Sequence, residues 1–199
     1  MKLFLASNSP RRKEILKSLN LEFSVSVSDF DESSIIEENP IKRCVLIAKG
    51  KAETVYLKLK NNGMDAFIIA ADTLIYKNNG SCGKTVFGKP KSLIEAESML
   101  TSYSGKFHNV ITAVYCIDSL CGKEYKRVNI SKVFFKKLEP EEITSYLKTN
   151  EWRDAAGGYK IQGAASLFIK KIEGSYSGIM GLPICDLYEI FKKAGISVL

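Results

Sequence analysis

Apolar and polar positions alternate in the opening stretch KLFL, where Leu3 and Leu5 keep the period of a half-buried strand, and the run then stops at small hydroxylated residues, a proline and two arginines. A strand followed by a helix from about Pro10 to Asn20 is the expected element pair. Pro10 suits the first helical position, and Ser9 before it suits a cap. Phe23, Val25 and Val27 alternate as a second strand. The acidic segment Ser28 to Glu38 then leads to Asn39-Pro40, the start of a long helix through Lys60. Ala66 to Ala71 is an apolar run of buried-strand length, and a hairpin-like excursion follows it with Asn78-Asn79-Gly80 at its turn. Ser92 and Glu95 have the spacing of a capping box for a helix reaching about Tyr103. Phe107 to Ile117 and Glu124 to Phe135 read as two long strands, an antiparallel pair joined around Cys121-Gly122. Pro140 opens a short helix to about Thr149, a glycine-rich loop spans Gly157 to Gly163, Leu167 to Ile172 is a strand, and a closing helix runs from Pro183 to its stop at Gly195. Helices and strands alternate early while long strands pair late. The fold class is therefore α/β, a mixed twisted sheet flanked by helices.

Length and charge narrow this picture. The 199 residues, 45% hydrophobic and 26% charged, suffice for one globular domain over 1–199 with room for two lobes. The formal charge of +7 invites a nucleic-acid reading. Lysines and arginines are spread along the chain, however, and no basic stripe with clustered aromatics emerges, so a small polyanionic substrate fits the excess equally well and no nucleic-acid partner is expected. The five cysteines form no CxxC pair and no ligand spacing with the single histidine, which argues against structural zinc and for reduced thiols. No signal-peptide pattern opens the chain, and no apolar run approaches the ~20 residues of a membrane helix. The expectation is a cytoplasmic protein without a membrane partner.

Chemistry concentrates at a few points. Arg11 and Arg12 fall in the first turn of a helix, where cations oppose the helix dipole unless something negative sits in front of them. A bound phosphate removes that conflict; the alternative is a solvated pair. Asp72 ends the run FIIAAD where a buried strand opens, so its carboxylate needs a partner or a metal, or else it serves as a loop cap. Thr73 flanks it. The acidic cluster Asp29, Asp31 and Glu32 is either a second carboxylate source or a solvated loop. Lys49 and Lys51 lie on the long helix, and Lys84 and Lys89 in the excursion, where Gly88 and Pro90 constrain the backbone around Lys89. Gly80 to Thr85 lacks the first glycine and the following helix of a P-loop. His108 reads as a satisfied structural histidine, since no serine or cysteine partner is placed for it.

The motifs ASNSPRRKEIL, AADT, FGKP, SGKFHNVITAV, AAGGYKIQGAASLFIKKIEGSY and GLP, in this order from Leu3 to about Gly195, resemble the Maf family of nucleotide pyrophosphatases. The resemblance implies a two-lobed α/β fold around a cleft, akin to inosine triphosphate pyrophosphatases, and usually a homodimer. It also implies hydrolysis of nucleoside triphosphates to monophosphate and pyrophosphate with a divalent metal, Mg²⁺ or Mn²⁺. Carried over by position, Asp72 is the proton acceptor, and the substrate-binding set is Ser7, Arg11, Arg12, Glu32, Lys51, Thr73, Lys89 and Gln162. Arg11, Thr73 and Gln162 are the marks of the branch that acts on dTTP and UTP, as against the branch acting on 7-methylguanosine triphosphate. Two departures stand out: a longer excursion between Asp72 and Lys89, and DAAGGYKIQG in place of the usual DKAGAYGIQG, with Ala155 for a lysine and Lys160 for a glycine. The expected activity is thus a dTTP/UTP pyrophosphatase. The alternatives are a pyrophosphatase for modified or purine triphosphates and a non-catalytic nucleotide-binding regulator of cell division. Whether Asp72 is base or metal ligand stays open, since both roles need the same carboxylate in the same place.

Overall fold

The computed structural model describes residues 1–78 and 83–198. In chain order its main elements are β1 (Lys2–Leu5), α1 (Pro10–Ser18), β2 (Phe23–Val25), α2 (Pro40–Asn61), β3 (Ala66–Asn78), β4 (Lys84–Phe87), α3 (Leu93–Tyr103), β5 (Phe107–Asp118), β6 (Lys123–Phe135), α4 (Pro140–Lys148), β7 (Ile169–Glu173), α5 (Tyr176–Met180) and α6 (Ile184–Ala194). The strands form one seven-stranded sheet in the order β2-β1-β3-β5-β6-β7, with β4 paired to β3. The sheet is mixed. β1 runs parallel to both β2 and β3, as strands joined through crossover helices do, while β4 is antiparallel to β3 and β7 to β6.

The chain divides into two compact units, Met1–Asp72 with Thr112–Asn129 and Gly181–Leu199, and Thr73–Ile111 with Ile130–Met180. In the first, α2 starts where the Asn39 side chain accepts hydrogen bonds from Ile41 N and Lys42 N, and it buries Cys44, Ile47, Ala48, Ala52, Val55 and Leu59, a stripe at helical spacing. α6 buries Leu187, Ile190 and Phe191 and ends at Gly195 in a left-handed conformation (φ 71°). The Phe191 ring lies 5.8 Å from Phe67 of β3, and a side chain of that size buried fully contributes about 1.5–3 kcal/mol. In the second unit, Tyr103, Phe135, Trp152, Tyr159 and Phe168 build an aromatic core with Leu100, Ile143 and Leu147.

Local expectations fail at identifiable points. β1 is an interior strand, so Phe4 is buried beside Leu5 and the simple alternation breaks down. Ser9 occupies the cap position of α1 without a capping side-chain bond. Ser92 does cap α3, but the Glu95 carboxylate accepts from Lys91 N, one residue earlier than a capping box requires. β2 ends at Val25, and residues 164–168 form a 3-10 helix, so β7 begins at Ile169 rather than Leu167. The short α5 carries no strong helix signal in its sequence. The expected turn at Asn78-Asn79-Gly80 lies outside the described residues beyond Asn78, as does the first half of the glycine-rich segment read against a P-loop. Among the described residues, no helix is long and apolar enough to cross a membrane.

Candidate active site

Within the first unit, three segments distant in sequence converge on one carboxylate. Asp72 lies late in the buried run of β3, its side chain 7% exposed, and its Oδ1 sits 2.8 Å from Lys51 Nζ on α2. The same ammonium lies 2.7 Å from Glu32 Oε1, so Lys51 bridges two carboxylates. Asp72 Oδ2 is buried and accepts no hydrogen bond. A carboxylate has room for about four donors, and leaving a buried polar atom unsatisfied costs on the order of 1–3 kcal/mol, so this oxygen has acceptor capacity that the described residues do not use.

Glu32 is brought to Lys51 by packing. Phe30 lies over Gly50, where a Cβ would collide with its ring, and this fixes the acidic loop one residue from Lys51. Asp31 turns inward on its own loop instead: its side chain accepts from Ser33 N and Ser33 Oγ, and those bonds hold its carboxyl below the usual value. Only Glu32 of the acidic cluster therefore forms an ion pair with Lys51. Beneath the site, buried Cys44 donates its thiol to the Asp72 carbonyl at 3.2 Å, and burial with the nearby Asp72 charge pushes the thiol's pKa up.

Arg12 is anchored through its guanidinium. Nε donates to the Gly181 carbonyl at 2.8 Å and Nη1 donates to Ser7 Oγ at 3.0 Å. Ser7, itself buried, also accepts from Ser9 N at 3.2 Å. Burial pulls the Arg12 pKa down; the Asp72 carboxylate opposes this most among the charged neighbours, and Arg11 adds to the lowering. Ser7, Arg12, Glu32, Lys51 and Asp72 thus belong to one electrostatic network, with half-buried Arg11 at its edge.

The remaining expected site residues lie in the second unit. Thr73 follows Asp72 directly and is half-buried. Lys89 is exposed, with Nζ 4.0 Å from the Asp154 carboxylate. Gln162 is exposed on the glycine-rich loop. Gly157 N donates to the Gly88 carbonyl at 2.8 Å, which ties that loop to the segment carrying Lys89. The sequence reading missed Phe30 with Gly50, Cys44 and Gly181. A glycine inside a long helical pattern was the one available sign of the first.

A family model described as "Maf-like protein" matches residues 2–194. The chain belongs to the Maf family. It is 55% identical over 200 residues to a Treponema denticola protein named dTTP/UTP pyrophosphatase, covering 99% of this chain and 98% of that one. It is 42% identical to a protein of the same name from Alkaliphilus metalliredigens, over 96% of this chain and 95% of the relative, and 38% identical to one from Caldicellulosiruptor saccharolyticus, over 100% and 97%. The quoted Maf motifs fall on the network just described: SPRR supplies Arg12, ADT supplies Asp72, and GLP supplies the carbonyl that holds Arg12.

The donor set bears on the divalent metal of the sequence expectation. Among the described residues, no cluster of three or more His, Cys, Asp or Glu side chains is able to hold a metal ion. What is present is the unsatisfied Asp72 Oδ2 with Glu32 held to the same lysine. Mg²⁺ is commonly bound by one or two carboxylates plus waters and substrate phosphates, so this arrangement fits an ion shared with a triphosphate and not one caged by the protein alone.

Proposed function

We propose that this chain hydrolyses dTTP and UTP to the nucleoside monophosphate and pyrophosphate, with Asp72 as the reacting carboxylate. The buried, unsatisfied Oδ2 carries the reading, because it leaves an acceptor open beside an anchored arginine. In the reaction a water oxygen bonds to the α-phosphorus, the bond from that phosphorus to the bridging oxygen breaks, and pyrophosphate departs. Asp72 orients the water and takes its proton, then returns it to solvent. Lys51 fixes Oδ1 so that Oδ2 keeps its orientation. Arg12, Arg11 and Lys89 bind phosphate oxygens, and Ser7 holds the Arg12 guanidinium in place. Mg²⁺ or Mn²⁺ would be held through Glu32 and phosphate oxygens and would supply further charge neutralisation. A homodimer belongs to the same proposal.

Thr73 and Gln162 set the choice of base. The Gln162 amide offers a donor and an acceptor, which match the imide edge shared by uracil and thymine. A site built for that edge leaves polar groups unpaired when a purine enters. Catalytic efficiencies for dTTP, UTP, ATP and GTP, read as released pyrophosphate for wild type and Gln162→Glu, test this. Wild type is expected to prefer the pyrimidines and the variant to lose most of that preference. A purine preference in the wild type, or an unaltered pyrimidine preference in the variant, contradicts it.

A further inference from the structure

Gln162 is exposed, so whatever directs its amide acts through the backbone on either side of it. Before it, Tyr159 is buried, with its hydroxyl 2.8 Å from Nε2 of fully buried His108 on β5 and its ring edge-on to Phe135 at 5.2 Å. After it, Ala164 N donates to Glu151 Oε2 at 2.9 Å. Gly163 lies against that same carboxylate, where a Cβ would collide with Glu151. Between these anchors, Gly163 N donates to the Lys160 carbonyl at 3.1 Å and closes a tight turn around Gln162. The turn is short and pinned at both ends.

The geometry points to Tyr159 and Glu151 as a two-sided clamp that positions Gln162, making both of them positioning residues for base selectivity. Their effect is on where the base sits and not on the attacking water. The inference rests on the reading of Gln162 given above. His108 supports it physically: burial drives its pKa down to about 3, so the imidazole is neutral at ordinary pH and the bond to Tyr159 does not switch with pH in that range.

Tyr159→Phe deletes the hydroxyl alone, Glu151→Ala deletes the acceptor, and Glu151→Gln keeps an acceptor oxygen for Ala164 N–H. For each, kcat and KM are measured with dTTP and ATP, and amide hydrogen exchange is followed over residues 157–164. Tyr159→Phe and Glu151→Ala are expected to lower the dTTP-to-ATP efficiency ratio by about tenfold, mainly through a higher KM for dTTP, with kcat held within about threefold. Exchange near Gln162 should speed up in both, and Glu151→Gln should keep the wild-type ratio and exchange. An unchanged ratio and unchanged exchange in folded Tyr159→Phe and Glu151→Ala overturn the clamp, as does a Glu151→Gln variant as impaired as Glu151→Ala. If Tyr159→Phe does not fold, the two Glu151 variants decide the matter. A wild type without dTTP preference defeats the base-reading assignment itself, while the exchange measurement still decides whether the clamp exists.

Discussion

Two clusters of titratable side chains are each built around a buried group, Asp72 in one and His108 in the other, and they treat that group in opposite ways. Around Asp72, the first unit pairs groups of opposite charge type: Lys51 bridges Asp72 and the exposed Glu32, Arg12 is hydrogen-bonded to Ser7 and Gly181, and one Asp72 oxygen has no hydrogen-bond partner among the described residues. Around His108, the second unit keeps its groups neutral. Burial lowers the histidine pKa, raises those of Tyr103 and Tyr159, and leaves aromatic rings packed edge to face. Buried neutral atoms without partners, such as Tyr103 Oη and His108 Nδ1, cost less at low dielectric than an unsatisfied carboxylate, which is held only where the surroundings compel it. Perturbed groups alone do not mark a catalytic centre; unspent charge capacity separates the two clusters.

The contrast predicts that substitutions in the charged cluster move turnover and substitutions in the neutral cluster move stability. The larger effect is expected at Arg12 of the charged cluster and, outside both clusters, at Lys89, the other cation assigned to the phosphates. Each alanine variant should lose about 10²–10³ in kcat/KM, because each removes a charge-assisted contact to a polyanion, and circular dichroism should show the fold retained. Wild-type efficiency in Arg12→Ala at moderate salt would erase the distinction between the clusters.

An effect on stability instead of turnover is expected at His108. Its folded pKa of about 3 lies below the usual 6.5, so the unfolded chain takes up the proton first as pH falls. The stability held above pH 6.5 is therefore lost progressively between pH 6.5 and about 3, with a slope approaching 1.4 kcal/mol per pH unit from this group. Acidic groups with lowered pKa values, such as Glu142 and Glu173, add to the acid sensitivity of wild type and variant alike. Denaturant unfolding of wild type and His108→Gln across this range isolates the histidine. The two curves should converge as pH falls, and parallel curves would show that His108 is not buried neutral.

What the sequence made legible follows the range of the interactions involved. Helix boundaries written in local chemistry, such as Asn39-Pro40 at the start of α2 and Gly195 at the end of α6, stand close to where composition placed them. Asp72 was legible because a carboxylate at the end of an apolar strand demands a partner. The Arg12 bond to the Gly181 carbonyl spans 169 positions, and the thiol of Cys44 under the Asp72 carbonyl spans 28; neither leaves a local trace. Lys51 was one lysine among many on an amphipathic helix until the fold set it between two carboxylates. Leu167 and Phe168, expected to open the last strand, instead end the 3-10 helix at residues 164–168, because SLF is apolar enough for either conformation.

The central claim is that the open oxygen of Asp72 carries chemistry and not architecture. Asp72→Asn preserves the shape and removes the charge, so turnover of dTTP under saturating conditions and equilibrium binding of dTTP to the same folded variant test the claim together. Turnover should fall by at least about 10³ while the dissociation constant changes by less than about tenfold. Undiminished pyrophosphate release from the folded variant would contradict the account.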